Sequence, residues 1–163
     1  MRHTVVRLVC LCAVLAGCSL PSVAQQKWFL LSSDGGWKTF DKESDWRKAA
    51  DEFQPLETAV VTRKIATVSI VYDVQGESGD WRNIDRYLFR ADGTLIKLDR
   101  TFGSSSQDLK LTEEYGLDPG GKIVRRFRRE VSLTTGKAKN EEPEKPQLPV
   151  VSHMNQLDFI KAP

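Results

Sequence analysis

Cysteine is scarce in this chain, and its placement says more than its number. The three cysteines among 163 residues are Cys10, Cys12 and Cys18. Everything after residue 18 therefore has no thiol for a disulfide, a thiolate nucleophile or a soft metal site. Histidine is rarer still, with only His3 and His153 present. A serine nucleophile usually needs an imidazole beside it, and tetrahedral zinc draws mainly on Cys and His. His153, alone between Ser152 and Met154, reads as a surface or packing residue, and neither metal nor cofactor is expected. An excess of one charge is also missing. The chain carries 24 Lys and Arg against 22 Asp and Glu, and the surplus equals Arg2 and Arg7. Without residues 1–24 the balance is 22 against 22, which leaves no electrostatic footprint for nucleic acid.

Long hydrophobic runs are absent as well. The apolar stretch Leu8 to Leu15 is far short of the roughly 18 to 20 residues a membrane-spanning helix needs. Preceded by Arg2 and Arg7, it has the charged and apolar regions of a secretory signal. Leu15-Ala16-Gly17-Cys18 resembles the lipobox of bacterial lipoproteins, in which the cysteine is acylated and becomes the new N-terminus. That resemblance implies lipid attachment at Cys18 and a membrane-anchored protein of the cell envelope. With Ser19 following the cysteine, it implies the outer membrane if the host is Gram-negative. At about 0.8 kcal/mol per buried methylene, several acyl chains would hold the domain to a membrane surface. Cys10 and Cys12 are small hydrophobes of the same run. A second cleavage reading competes: Ser22-Val23-Ala24 offers small residues to an ordinary signal peptidase, releasing a periplasmic or secreted chain from Gln25. Either way residues 1–24 form the signal region and 25–163 a single domain, with a polar loop at 135–149.

Glycine-rich turns at Ser32 to Gly36, Gln75 to Gly79, Ala91 to Gly93, Phe102 to Ser106 and Asp118 to Gly121 separate runs rich in β-branched and aromatic residues. Ile65 to Val74 shows the strand period, with Ala66, Val68, Ile70, Tyr72 and Val74 on one face and Thr67, Ser69 and Asp73 on the other. Only Lys42 to Gln54 has helical spacing, through Trp46, Ala49, Ala50 and Phe53. Asp41 or Ser44 would cap its start, and Pro55 stops it. Two segments align without a gap, pairing Tyr87 with Tyr115, Gly93 with Gly121 and Ile96 with Val124, the pattern of successive hairpins. These features predict a mainly β fold, with α+β as the alternative: a curved antiparallel meander and one short helix across it or plugging one end. The segment 135–149 is charged and proline-rich and predicts a solvated loop or linker. Val150, Val151, Met154, Leu157, Phe159 and Ile160 then form a last apolar stretch able to dock back on the sheet, as a strand or a short helix.

Chemistry-bearing constellations are few. Asp73, Asp80, Asp85 and Asp99 flank or occupy strands, and two of them converging would make the acid pair of a glycosidase-like hydrolase. Asp34, Asp92 and Asp118 are turn formers. Asp34-Gly35-Gly36 and Asp118-Pro119-Gly120-Gly121 lack the lysine and hydroxyl of a phosphate-binding loop and read as turns. Strand alternation places Arg125 and Arg129 on the face of Ile123 and Phe127, with Arg126 and Arg128 opposite beside Glu130. Arg125 and Arg129 are thus candidate contacts for an anionic partner, against the plainer reading of cross-strand pairing with Asp85 and Asp99. Trp28, Trp37, Trp46 and Trp81 are expected in the core or half-core. The sequence therefore predicts a non-catalytic binding or structural role at the envelope. One alternative is a soluble domain that takes an apolar or amphiphilic ligand into a pocket lined by Tyr72, Tyr87 and Phe102; the other is a carboxylate-based hydrolase.

Overall fold

Alternation of apolar and polar side chains turns most of this chain into sheet. The computed structural model describes residues 24–139 and 148–161. Residues 1–23, where the signal and the lipid-attachment site Cys18 are expected, with Cys10, Cys12 and His3, and residues 140–147 of the polar loop lie outside the described residues. Eight strands form: β1 (Gln25–Leu31), β2 (Trp37–Phe40), β3 (Glu57–Arg63), β4 (Thr67–Gln75), β5 (Trp81–Arg90), β6 (Leu95–Ser104), β7 (Leu109–Leu117) and β8 (Ile123–Val131), with one helix, α1 (Glu43–Phe53), between β2 and β3. They make one open sheet in the order β2-β1-β3-β4-β5-β6-β7-β8, every neighbouring pair antiparallel. Among the described residues the fold is mainly β, with a meander and a single α-helix, as the alternation predicts. The departure from a pure meander is at its start, where β1 lies between β2 and β3. Helix α1 bridges these two strands and packs against β1 and β2.

The two faces of the sheet are covered differently. On the inner face Phe29, Ala59, Val61, Ile70, Tyr87, Phe89 and Leu98 are buried together with Val151, Leu157 and Phe159 of the C-terminal segment. That segment runs in two short 3-10 turns, Met154–Gln156 and Asp158–Lys161. Phe159 alone sits within 5.6 Å, centroid to centroid, of Phe29, Trp37 and Tyr72. Helix α1 covers the outer face near β1, where Leu30 is fully buried. Its Trp46 indole donates to the Phe29 carbonyl at 3.3 Å, while Phe53 stays half-exposed beneath the Lys38 ammonium. No helix among the described residues is long and apolar enough to cross a membrane.

Several local expectations need correction. Helix α1 is capped by neither Asp41 nor Ser44: Lys42 holds the N-cap position without a side-chain bond. Asp41 is 3.7 Å from Lys27, and Ser44 hydrogen-bonds Asp45 instead. At the other end Gln54 takes the left-handed conformation, φ 43°, just before Pro55. Strand β4 starts at Thr67, not Ile65. Arg63 pairs with Val68, so residues 64–67 must make a tight turn, and Ile65 and Ala66 are exposed in it. Phe102 and Gly103 belong to β6, and the turn read there from glycine and serine falls at residues 105–108. The aligned segments do form hairpins β5–β6 and β7–β8, each with an Asx bond in its turn: Thr94 to Asp92 at 2.8 Å and Gly120 to Asp118 at 2.9 Å.

Candidate functional site

Strand register, rather than proximity in sequence, assembles the polar part of the inner face. Ala59, Tyr72, Asp85, Arg100, Glu113 and Arg128 are successive partners across β3 to β8. In an antiparallel sheet directly opposed residues share a face. The row therefore changes from apolar to aromatic to alternating charge as it crosses the sheet. Asp85 and Arg100 are almost wholly buried and joined by two parallel bonds, Nε to Oδ1 at 2.8 Å and the terminal nitrogen to Oδ2 at 2.6 Å. Asn83 adds a bond to Oδ1 at 2.8 Å, and the Tyr87 phenol lies 3.2 Å from Oδ2. Burying two charges costs several kcal/mol each unless their bonds are complete, and here the carboxylate is saturated. Burial alone would lower the Arg100 guanidinium, but its bond to Asp85 and the charge of that carboxylate outweigh this and raise it.

Arg100 has a second task. Its other terminal nitrogen donates to the Leu148 carbonyl at 2.9 Å, which ties the entry of the C-terminal segment to the sheet. Farther along, Leu95 donates to the Ser152 carbonyl and Met154 to that of Gly93, at 2.9 and 2.8 Å. His153 packs so closely on Gly93 (φ 89°) that a Cβ there would stand 2.5 Å from the imidazole. His153 is thus a packing group, and its Nδ1 accepts from the Asn155 N–H at 3.4 Å.

Between this segment and the sheet lies a cavity of about 430 Å³. Trp37, Tyr72, Tyr87, Val151, Leu157 and Phe159 give it apolar and aromatic walls, and Glu57, Asp85, Gln156 and Asp158 give it polar ones. Tyr72 donates its phenolic hydrogen to Glu57 Oε2. Burial first, and that bond second, hold the Tyr72 phenol above its ordinary pKa; burial and the Asp85 charge do the same for Tyr87. Both phenols are therefore protonated hydrogen-bond donors at neutral pH, the opposite of an activated nucleophile.

Of the three residues expected to line a pocket, the structure brings Tyr72 and Tyr87 together and leaves Phe102 out. Phe102 packs with Leu109, Leu111 and Trp81 in a separate cluster. The reason is register: Phe102 faces Asn83 and Leu111, toward the far end of the sheet from the C-terminal segment. The four aspartates do not converge either. Asp73 is paired with Arg82, Asp99 with Lys97, Asp80 is bonded by Ser78 in a turn, and Asp85 is held by Arg100. No three His, Cys, Asp or Glu side chains among the described residues are grouped as a metal site requires.

Nor do Arg125 and Arg129 share a face. A bulge at Arg126 shifts the β7–β8 register, so that Tyr115 opposes Arg125 while Glu114 opposes Phe127. One extra residue inverts the alternation on one side of it. Arg125 and Arg128 consequently face inward, where Arg125 bonds the buried Glu113 at 3.0 Å and Arg128 pairs with Glu130. Arg129 is exposed on the outer face, and Arg126 lies over Gly116 with a bond to the Leu117 carbonyl at 2.9 Å. Cross-strand pairing does occur, but with Glu113 in place of Asp85 and Asp99.

No family model, curated protein or solved structure matches this chain, so the reading of the site rests on its geometry. The residues that sequence reasoning missed were Glu57, Arg100 and Phe159, while Trp37, expected in the core or half-core, is half-buried and lines the cavity. One signal for Arg100 was available. On β5 the charged Asp85 lies on the same face as Tyr87 and Phe89, and a charge on the buried face of an amphipathic strand demands a partner on a neighbouring strand.

Proposed function

We propose that this chain is an exported domain of the bacterial cell envelope, anchored through Cys18, that binds a small amphiphilic ligand in the cavity without transforming it. The observation that carries the binding role is the cavity itself. At about 430 Å³ it has the size of a small-molecule site, with aromatic and aliphatic walls and a few placed polar groups. The non-catalytic part is supported by Asp85, whose oxygens are consumed by Arg100, Asn83 and Tyr87, and by phenols shifted away from ionisation.

Titration with the neutral fluorophore N-phenyl-1-naphthylamine tests this. Saturable binding with quenching of tryptophan emission is expected, and Trp37→Ala should weaken it about tenfold while leaving the protein folded. A folded wild-type protein that leaves the fluorophore unbound overturns the proposal. Export and anchoring have their own readout, the intact mass of the protein in its native host. A lipid-modified N-terminus at Cys18 is expected. An unmodified start at Gln25 would keep export and remove the anchor, and an unprocessed chain would remove both.

A further inference from the structure

We infer that the ligand of this cavity is an organic ammonium ion carrying a flat apolar group. This rests on the cavity being a binding site and goes beyond it by assigning the ligand's charge. The lining holds three acids, Glu57, Asp85 and Asp158, and no Lys, Arg or His. Asp85 is neutralised by Arg100, and Asp158 lies 3.6 Å from Lys161 on the exposed rim. Glu57 differs from both: its only bond among the described residues is from the Tyr72 hydroxyl to Oε2. It is half-buried and has no cationic partner there.

Beside that carboxylate stand three rings. Trp37 and Phe159 are 5.2 Å apart between centroids, Tyr72 and Phe159 5.3 Å, and Trp37 and Tyr72 6.3 Å. They are tilted by 47° to 60° rather than stacked; Phe159 is buried, and the half-buried Trp37 and Tyr72 are the rings with surface open to a guest. Ring faces carry negative electrostatic potential and attract cations, most strongly where water is excluded. A carboxylate without a counter-ion among the described residues and a cluster of aromatic rings in one partly enclosed cavity therefore favour the same guest. An anion would meet Glu57 with no cation among the described lining residues to offset the repulsion. A neutral guest would leave Glu57 facing apolar surface, at a desolvation cost that an ammonium group removes. The remaining volume, bounded by Val151 and Leu157, suits the apolar body.

Displacement of bound N-phenyl-1-naphthylamine by three ligands with the same ring tests the assignment: 2-phenylethylammonium, 2-phenylethanol and 3-phenylpropionate. The ammonium ion is expected to compete about tenfold better than the alcohol, and the carboxylate worst. Glu57→Gln keeps the acceptor for Tyr72 and should abolish the preference, lowering affinity for the cation and leaving that for the alcohol unchanged. Equal competition by all three, a preference for the carboxylate, or a preference that survives Glu57→Gln would overturn the inference while the cavity remained a binding site. If the fluorophore itself does not bind, the binding role fails first.

Discussion

The two halves of the inner face solve the same burial problem by opposite means. Over β1, β3 and β4 the sheet presents Phe29, Ala59, Val61, Ile70 and Tyr72, and the C-terminal segment closes them with Val151, Leu157 and Phe159. Over β5 to β8 the same row of the sheet carries Asp85, Arg100, Glu113 and Arg128. Here the charges are neutralised in pairs, Asp85–Arg100 and Glu113–Arg125 from strand to strand and Arg128–Glu130 within β8. Apolar closure is non-directional and scales with area, whereas a buried charge tolerates only a partner in a particular geometry. The cavity lies at the junction. It takes the Tyr72 wall from the first half, and Tyr87 with the Asp85–Arg100 pair from the second. Arg100 also couples the halves, because the same guanidinium holds Asp85 and the Leu148 carbonyl.

The comparison breaks hardest at Arg100. Arg100→Leu strands the buried Asp85 carboxylate and should cost about 3–5 kcal/mol in urea unfolding. Adding Asp85→Asn should restore a large part of it. A single-variant cost below about 1 kcal/mol would show that the charged half is not held by this pair. Next comes the apolar half. Phe159→Ala removes a side chain that is 1 % exposed and should cost about 3 kcal/mol, as large-to-small changes in cores do. Amide exchange should then rise over residues 151–161 ahead of β5 to β7. Uniform acceleration across the sheet would mean that the two halves unfold as one.

The smallest effect is expected at Asp108, in the β6–β7 turn. Ser132 and Thr134 donate to its carboxylate at 2.6 and 2.8 Å and lower it from 3.8 to about 2. A carboxylate lowered on folding contributes stability that is complete above its unfolded pKa and is lost as pH falls through the folded one. Wild-type protein should therefore lose Tm between about pH 4 and about pH 2. Asp108→Asn, which accepts the left-handed backbone at φ 48°, should flatten that part of the profile by lowering Tm slightly at neutral pH while leaving the acid end nearly unchanged.

Much of the fold was legible because local patterns carry it. Val68, Ile70, Tyr72 and Val74 share the inner face as their alternation requires, and the spacing of Trp46, Ala49 and Ala50 marks the one helix. The candidate site was legible only in part. Tyr72 and Tyr87 line the cavity, but Glu57 lies 15 residues from its partner Tyr72, and Arg100 lies 15 residues from its partner Asp85; both pairs meet only across neighbouring strands. Arg125 and Arg129 show the same limit from the other direction. Without the bulge at Arg126 simple alternation would have kept them together.

By itself the sequence determined which segments are strand, turn and helix, since backbone preference and apolar period act over a few residues. It also determined that the domain after residue 18 is held without disulfides, because no cysteine follows. Tertiary structure alone decided that β1 inserts between β2 and β3, that Asp85 meets Arg100, and that Phe159 roofs the cavity. Pairing partners are chosen by the packing of the whole sheet, and a shift of one residue moves every side chain of a strand to the opposite face.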